Sequence, residues 1–85
     1  MKGVIKMNRD NDVYMTRDFY LSCFLKTKGL KLVKVTRDGK VAEFHFESSE
    51  EMNQIIIAFY NGSEMVSAIT FINSIRDLKA FIHNI

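Results

Sequence analysis

Few side chains in this sequence have the types and spacing that enzyme or metal chemistry requires. Cys23, His45 and His83 lie far apart in the chain, whereas metal sites need ligands at close, regular spacing. The sequence contains no glycine-rich phosphate loop, paired-histidine motif or nucleophile elbow. We therefore expect a non-enzymatic protein with no catalytic residue, metal or cofactor.

Each of these three residues also has a structural interpretation. His45 falls on the polar face of a predicted hairpin, and His83 falls in the last turn of a predicted helix, where a cation favours the helix dipole. A cysteine within a helix, such as Cys23, is more often a small buried hydrophobe than a nucleophile.

The three tyrosines, Tyr14, Tyr20 and Tyr60, are aromatic groups with a polar end. Exposed beside lysines, they would suit stacking on nucleic-acid bases. Aromatic residues at helical spacing usually pack, however. We expect Tyr20 in the core and Tyr60 at the edge of a helix.

The charge of the chain is unevenly distributed. The net charge is +2, but residues 1–40 carry ten basic and four acidic side chains and residues 41–85 carry two and six. This pattern indicates either a surface for nucleic acid or another acidic partner, or plain complementarity between neighbouring elements. The candidate partner-binding residues are Lys26, Lys28, Lys31, Lys34, Arg37 and Lys40.

The length of 85 residues fits one domain. A single cysteine excludes an internal disulfide, and no signal-peptide pattern opens the chain. The longest uncharged apolar run is too short to span a bilayer. These features predict an intracellular location, with no membrane partner.

Residues 30–47 predict a β-hairpin with Asp38-Gly39 as its turn, because Asp-Gly between alternating runs suits a type I′ turn. That turn places Val35 opposite Ala42. One face of the hairpin then collects Val33, Val35, Ala42, Phe44 and Phe46.

A helix is predicted before the hairpin, with Thr16 as its N-cap and an end near Lys28. Its buried stripe consists of Tyr20, Leu21, Phe24 and Leu25, with Ser22 pointing away. Gly29 then suits the left-handed position of a Schellman motif.

Two further helices are predicted after the hairpin. Ser48 and Glu51 match a capping box, and Asn61-Gly62 ends the helix that follows. Ser67 is the predicted cap of the third helix, whose 3,4-spaced row comprises Ala68, Phe71, Ile75, Leu78, Ile82 and Ile85.

The predicted fold is α+β, in the order helix, β-hairpin, helix, helix, with a possible short strand at residues 4–7 or 13–15. Residues 1–12 are poorly determined, and residues 13–85 form the single domain. If residues 65–71 were instead a strand, and residues 4–7 another, the order would become the ferredoxin-like βαββαβ pattern, which RNA-recognition motifs also use.

The apolar arc of the third helix, widened by Ile69, Ile72 and Phe81, is too broad for one small core to cover. Large exposed apolar surfaces usually mark interfaces, and twofold pairs are the commonest soluble oligomers. We therefore expect a homodimer in which third helices pair, with Ile75 and Ile82 facing the partner and Phe71 and Leu78 facing the core.

Several segments together resemble a small uncharacterised domain family of bacteria and their viruses. The resemblance covers about residues 13–82 and implies kinship without an activity, and it transfers no catalytic residue. The segments are Tyr14-x-Thr16-x-Asp18-x-Tyr20-Leu21, Leu25 with Lys28-Gly29, the Asp38-Gly39 hairpin with Phe44-His45-Phe46, Phe59-Tyr60-Asn61-Gly62 and Leu78-Lys79.

Two functions follow as hypotheses. The first is a small binding module that contacts nucleic acid or an acidic partner through residues 26–40. The second is a protein-interaction role, such as a phage-encoded inhibitor of a host defence protein or a small assembly subunit, for which the uneven charge would steer association.

Overall fold

The computed structural model describes residues 13–84. Its elements are β1 (Val13–Thr16), α1 (Phe19–Thr27), β2 (Leu32–Asp38), β3 (Val41–Glu47), α2 (Glu50–Asn61) and α3 (Ala68–His83). This order confirms the α+β prediction and the extra strand at its second predicted place. The ferredoxin-like alternative has a strand at residues 65–71, whereas the structure has the helix Ala68–His83 there. Residues 1–12 and Ile85 lie outside the described residues, and so does the strand predicted at 4–7.

The three strands form an antiparallel sheet in the order β1-β3-β2, so the central strand is β3. Thr16 pairs with Phe44, and Tyr14 pairs with Phe46. Phe44 and Phe46 are buried, because alternate residues of β3 face the three helices. Glu43 and His45 lie on the opposite, outer face of the sheet.

The turn of the hairpin lies one residue later than its predicted position. Asp38 pairs with Val41, so the two turn residues are Gly39 and Lys40, with Gly39 at φ 65°. Glycine at the first central position supplies the positive φ that these turns require. Val35 therefore lies opposite Phe44 and not Ala42. Each partner in this part of the hairpin moves by two residues, which leaves the side chains from Val35 to the turn on their predicted faces.

The hairpin also differs from the prediction at a β-bulge in β2. The pairing shifts between Leu32 and Lys34, because one extra residue enters β2 there. Leu32 packs against the core, and Val33 is exposed. The prediction that Val33 belongs to the buried face was wrong, since a bulge changes the alternation from that point.

The most deeply buried element is α1, in which residues 21–25 are all buried. Tyr20 is 57% exposed and Ser22 is fully buried, so both predictions for these side chains were wrong. The reason is that α1 contacts α2, α3 and β1, which buries more than the single stripe typical of a surface helix.

The ends of α1 follow local chemistry. Asp18, and not Thr16, is the N-cap, and its carboxylate accepts from the Leu21 N–H. At the other end Gly29 has φ 90°. The Gly29 N–H donates to Lys26 O and the Leu30 N–H donates to Leu25 O, each at 3.0 Å. This pair of bonds is the predicted Schellman motif.

Of the N-caps predicted for α2 and α3, the first was wrong and the second was confirmed. The N-cap of α2 is Ser49, whose side chain makes no capping hydrogen bond, so the capping box predicted at Ser48 was wrong. Ser67 caps α3 as predicted, with its hydroxyl accepting from the Thr70 N–H at 3.3 Å.

All three helices and the central strand contribute to one hydrophobic core. Leu78 is the fully buried apolar residue that α3 supplies, and Met52 is its counterpart from α2. The core cluster comprises Leu21, Cys23, Leu25, Phe44, Phe46, Met52 and Leu78.

Candidate functional site

Three of the six predicted partner-binding residues contact this chain itself. The Lys26 ammonium lies 3.7 Å from Asp77, and the Lys28 ammonium lies 2.8 Å from Glu64. The Arg37 guanidinium donates to the carbonyl of Ile82 at 3.0 Å. Internal charge complementarity, the simpler interpretation of the uneven charge, therefore accounts for two of the six residues, since Arg37 contacts a neutral carbonyl.

The other three basic residues, Lys31, Lys34 and Lys40, are exposed on or beside the hairpin. Within residues 13–84 none of them has an acidic group at ion-pair distance. Lys34 pairs in register with His45 on the outer face of the sheet. Of the predicted partner-binding residues, these three therefore remain for an external partner.

An ionic network on the outer face of the sheet joins all three strands. The Arg17 guanidinium, just after β1, lies 2.8 Å from Asp38 of β2 and 2.8 Å from Glu43 of β3. The Thr36 hydroxyl donates to Glu43 at 3.0 Å. Hydrogen bonds from Arg17 and Thr36 lower the pKa of the Glu43 carboxyl.

His45 extends this network by one bond. Its Nε2 lies 2.9 Å from Thr36 Oγ1. A hydroxyl has one proton, and that of Thr36 is directed to Glu43, so the hydrogen of the second bond belongs to His45 Nε2. The hydrogen bonds of Thr36 to Glu43 and His45 link β2 to β3.

Asp18 joins the start of α1 to the end of α2. Its Oδ1 caps α1, and its Oδ2 accepts from the Tyr60 hydroxyl at 2.7 Å. The Asp18 N–H donates to Thr16 Oγ1 at 3.1 Å. The hydrogen bond from the Tyr60 hydroxyl to the Asp18 carboxylate raises the pKa of Tyr60 to about 12.

Cys23 is buried and carries a free thiol. Burial raises the pKa of the thiol to about 11, so it stays protonated at neutral pH. The thiolate is the nucleophilic form of cysteine. Cys23 is therefore a core residue, as the sequence predicted.

Large apolar side chains are exposed along α2, the loop that follows it, and α3. Met65 is 90% exposed and Ile69 is 68% exposed. Ile75 and Ile82, predicted to face a dimer partner, are half-buried against the core of their own chain. The exposed members of this surface are Ile57, Tyr60, Met65, Ile69, Ile72 and Phe81.

An open groove of about 360 Å³ lies where the C-terminal end of α1 meets α2 and the α2–α3 loop. Its apolar lining consists of Leu30 and Ile55. Its polar lining consists of Lys28, Glu51, Gln54 and Glu64.

Neither a group of metal ligands nor a membrane-spanning helix is present in the described part of the chain. Residues 13–84 contain no group of three or more histidine, cysteine or acidic side chains placed to hold a metal ion. Over the same residues, no helix combines the length and apolar character needed to cross a membrane.

The sequence did not predict that the side chains of Arg17 and Asp18 would join separate strands and helices. Arg17 gave no periodic signal, because its two partners lie 21 and 26 residues away. Asp18 was assigned to the first turn and not to the cap. Thr16, Asp18 and Tyr60 do belong to the segments that carry the family resemblance, but the sequence did not indicate that they contact one another.

Comparison with known proteins agrees with that resemblance. No curated protein and no solved structure matches the chain. One family does match, over residues 11–84, and it is described as a domain of unknown function, DUF5659. Because that match covers most of the sequence, the chain belongs to the DUF5659 family.

Proposed function

We propose that this protein is a non-enzymatic protein-interaction module that pairs with a second copy of itself through α3. The observation that carries the proposal is the exposure of three apolar side chains, Met65 in the loop before α3 and Ile69 and Ile72 on α3 itself. Exposed apolar surface often marks a protein interface. Ile69 and Ile72 replace Ile75 and Ile82 as the residues that face the partner.

Light scattering at high micromolar concentration tests the pairing. We expect a dimeric mass for the wild type and a monomeric mass for Ile69→Glu, because a buried unpaired carboxylate is strongly unfavourable. Thr70→Glu, which adds the same charge on another side of α3, is the control and should remain dimeric. A monomeric wild type, or a dimeric Ile69→Glu protein, would refute the proposal.

The wider role in the cell belongs to the same proposal. A phage-encoded inhibitor of a host defence protein and a small assembly subunit both fit an interaction module of this size. The proposed location is the bacterial cytoplasm. The free, buried thiol of Cys23 supports it, since such thiols suit reducing compartments.

Nucleic-acid binding is the second candidate, and the exposed Lys31, Lys34 and Lys40 favour it. Lysines that contact phosphates make affinity fall steeply with salt. Labelled single- and double-stranded oligonucleotides should therefore bind at low salt, and replacing the three lysines with glutamine should flatten the salt dependence. If no binding occurs at low salt, this candidate is removed.

A further inference from the structure

The groove between α1 and α2 has the composition of a receptor for a cationic side chain. Leu30 and Ile55 give it an apolar lining, and Glu51 and Glu64 add two carboxylates against the single ammonium of Lys28. An aliphatic stem with a charged end matches such a lining, because lysine and arginine lay their stems on apolar surface and keep the charge near water.

The chain already holds one ammonium group at this place. Lys28 Nζ lies 2.8 Å from Glu64 Oε1 and 5.8 Å from the centre of the Phe24 ring. The groove thus already holds one cation by ion pairing with Glu64, and Phe24, which does not line the groove, contacts only the Lys28 ammonium. Glu51, on the opposite helix, has no ion-pair partner within residues 13–84.

The two helix dipoles at the groove oppose each other. Lys28 is the C-cap of α1, so the negative end of the α1 dipole lies there and favours a cation. Glu51 belongs to the first turn of α2, so the positive end of the α2 dipole lies there as well. The preference for a cation therefore rests on the two carboxylates.

We propose that this groove receives a lysine or arginine side chain of a partner protein. The stem of that side chain lies on Leu30 and Ile55, its charge pairs with Glu51, and Lys28 competes with it for Glu64. The volume of about 360 Å³ suits one such side chain and its flanking backbone, since it lies at the lower end of ligand sites. This inference rests on the proposed interaction function and gives the chemistry of a partner at a second surface.

A titration of the ¹⁵N-labelled full chain with N-acetyl-lysine methylamide tests the groove. The amide signals of Leu30, Glu51, Gln54 and Ile55 should shift together. N-acetyl-norleucine methylamide has the same four-carbon stem without the charge, and it should bind about fivefold more weakly, which is the effect of one partly exposed ion pair.

Three variants make the test specific. Glu51→Gln should weaken binding of the lysine compound several-fold, and Lys28→Gln should strengthen it by releasing Glu64. Glu50→Gln is the matched control, because Glu50 shares the first turn of α2 with Glu51 but does not line the groove. The spectrum of each variant reports whether it folds.

Two results would overturn the inference. The first is equal binding of the lysine and norleucine compounds. The second is a Glu51→Gln protein that binds as well as Glu50→Gln. The Ile69→Glu substitution in α3 should leave this titration unchanged, so the failure of the groove and the failure of the α3 pairing are seen separately.

Discussion

At the scale of single residues, the Asp18 carboxylate makes two structural hydrogen bonds, one with each of its oxygens. One carboxylate oxygen caps α1, and the other accepts from the Tyr60 hydroxyl. A hydrogen bond from a neutral phenol to a carboxylate is lost when the phenol ionises. The bond therefore stabilises the fold only while Tyr60 is protonated, which is why its pKa is raised to about 12.

This coupling predicts a change in stability at alkaline pH. The pKa of Tyr60 is higher in the folded chain than in the unfolded chain, where it is about 10. Its contribution is complete below pH 10 and is lost as the pH rises through 12. Urea denaturation should show a larger loss between pH 10 and 12 in the wild type than in Tyr60→Phe, because the loss that comes from the raised pKa of Cys23 is common to both proteins.

Asp18→Asn serves as the control for that experiment. Asparagine caps helices as well as aspartate does, but it removes the charge that opposes ionisation of Tyr60. The pKa of Tyr60 should therefore fall toward its ordinary value, as measured by tyrosinate absorbance. An unchanged Tyr60 pKa in Asp18→Asn would contradict this account of the shift.

At the scale of elements, the junction between α1 and β2 depends on one backbone conformation. Gly29 has φ 90°, and the hydrogen bonds of the Schellman motif direct the chain from the helix into the hairpin. A Cβ at this position would meet nothing within 4 Å. The cost of a side chain there is thus the cost of the positive φ alone.

We expect Gly29→Ala to destabilise the protein by about 1 kcal/mol, as is typical for a non-glycine residue in the left-handed region. Gly29→Asn should cost less, because asparagine tolerates this region. The free energy of unfolding from urea titration gives both values. Equal stability of Gly29→Ala and the wild type would show that the Schellman motif is not maintained in solution.

At the scale of the whole molecule, α3 packs against α1 and closes the core. Leu78 and Ser74 are its buried residues, and Ser74 Oγ shares a hydrogen bond with Thr27 Oγ1 of α1 at 2.9 Å. Much of the remaining apolar surface of α3 is exposed. The same helix therefore closes the core and offers a surface for a partner.

The two sides of α3 should respond differently to truncation. Leu78→Ala removes fully buried atoms and should cost about 2–5 kcal/mol, the usual range for such a cavity. Ile69→Ala should change the stability of the monomer by less than about 0.5 kcal/mol. Urea denaturation at low micromolar concentration measures both, and similar losses for the two variants would contradict the assigned faces.

The sequence by itself determined the secondary structure, because its signals are local. The Gly29 stop, the Ser67 cap and the alternation of Phe44 and Phe46 depend on residues within a few positions of one another. It also pointed to the family through residues that later proved to join α1 and α2. Its errors at Ser48, Thr16 and the hairpin turn are of one or two residues.

Only the tertiary structure decided which side chains are exposed and which charges meet. Tyr20 was predicted to be buried and Ser22 to be exposed. The structure shows the opposite, because α1 is enclosed by three other elements. The ion pairs of Lys28 with Glu64 and of Arg17 with Glu43 join residues 26 or more positions apart, and no local pattern encodes such distances. The groove depends on the same long-range packing, since its lining comes from α1, α2 and the segments that follow each helix.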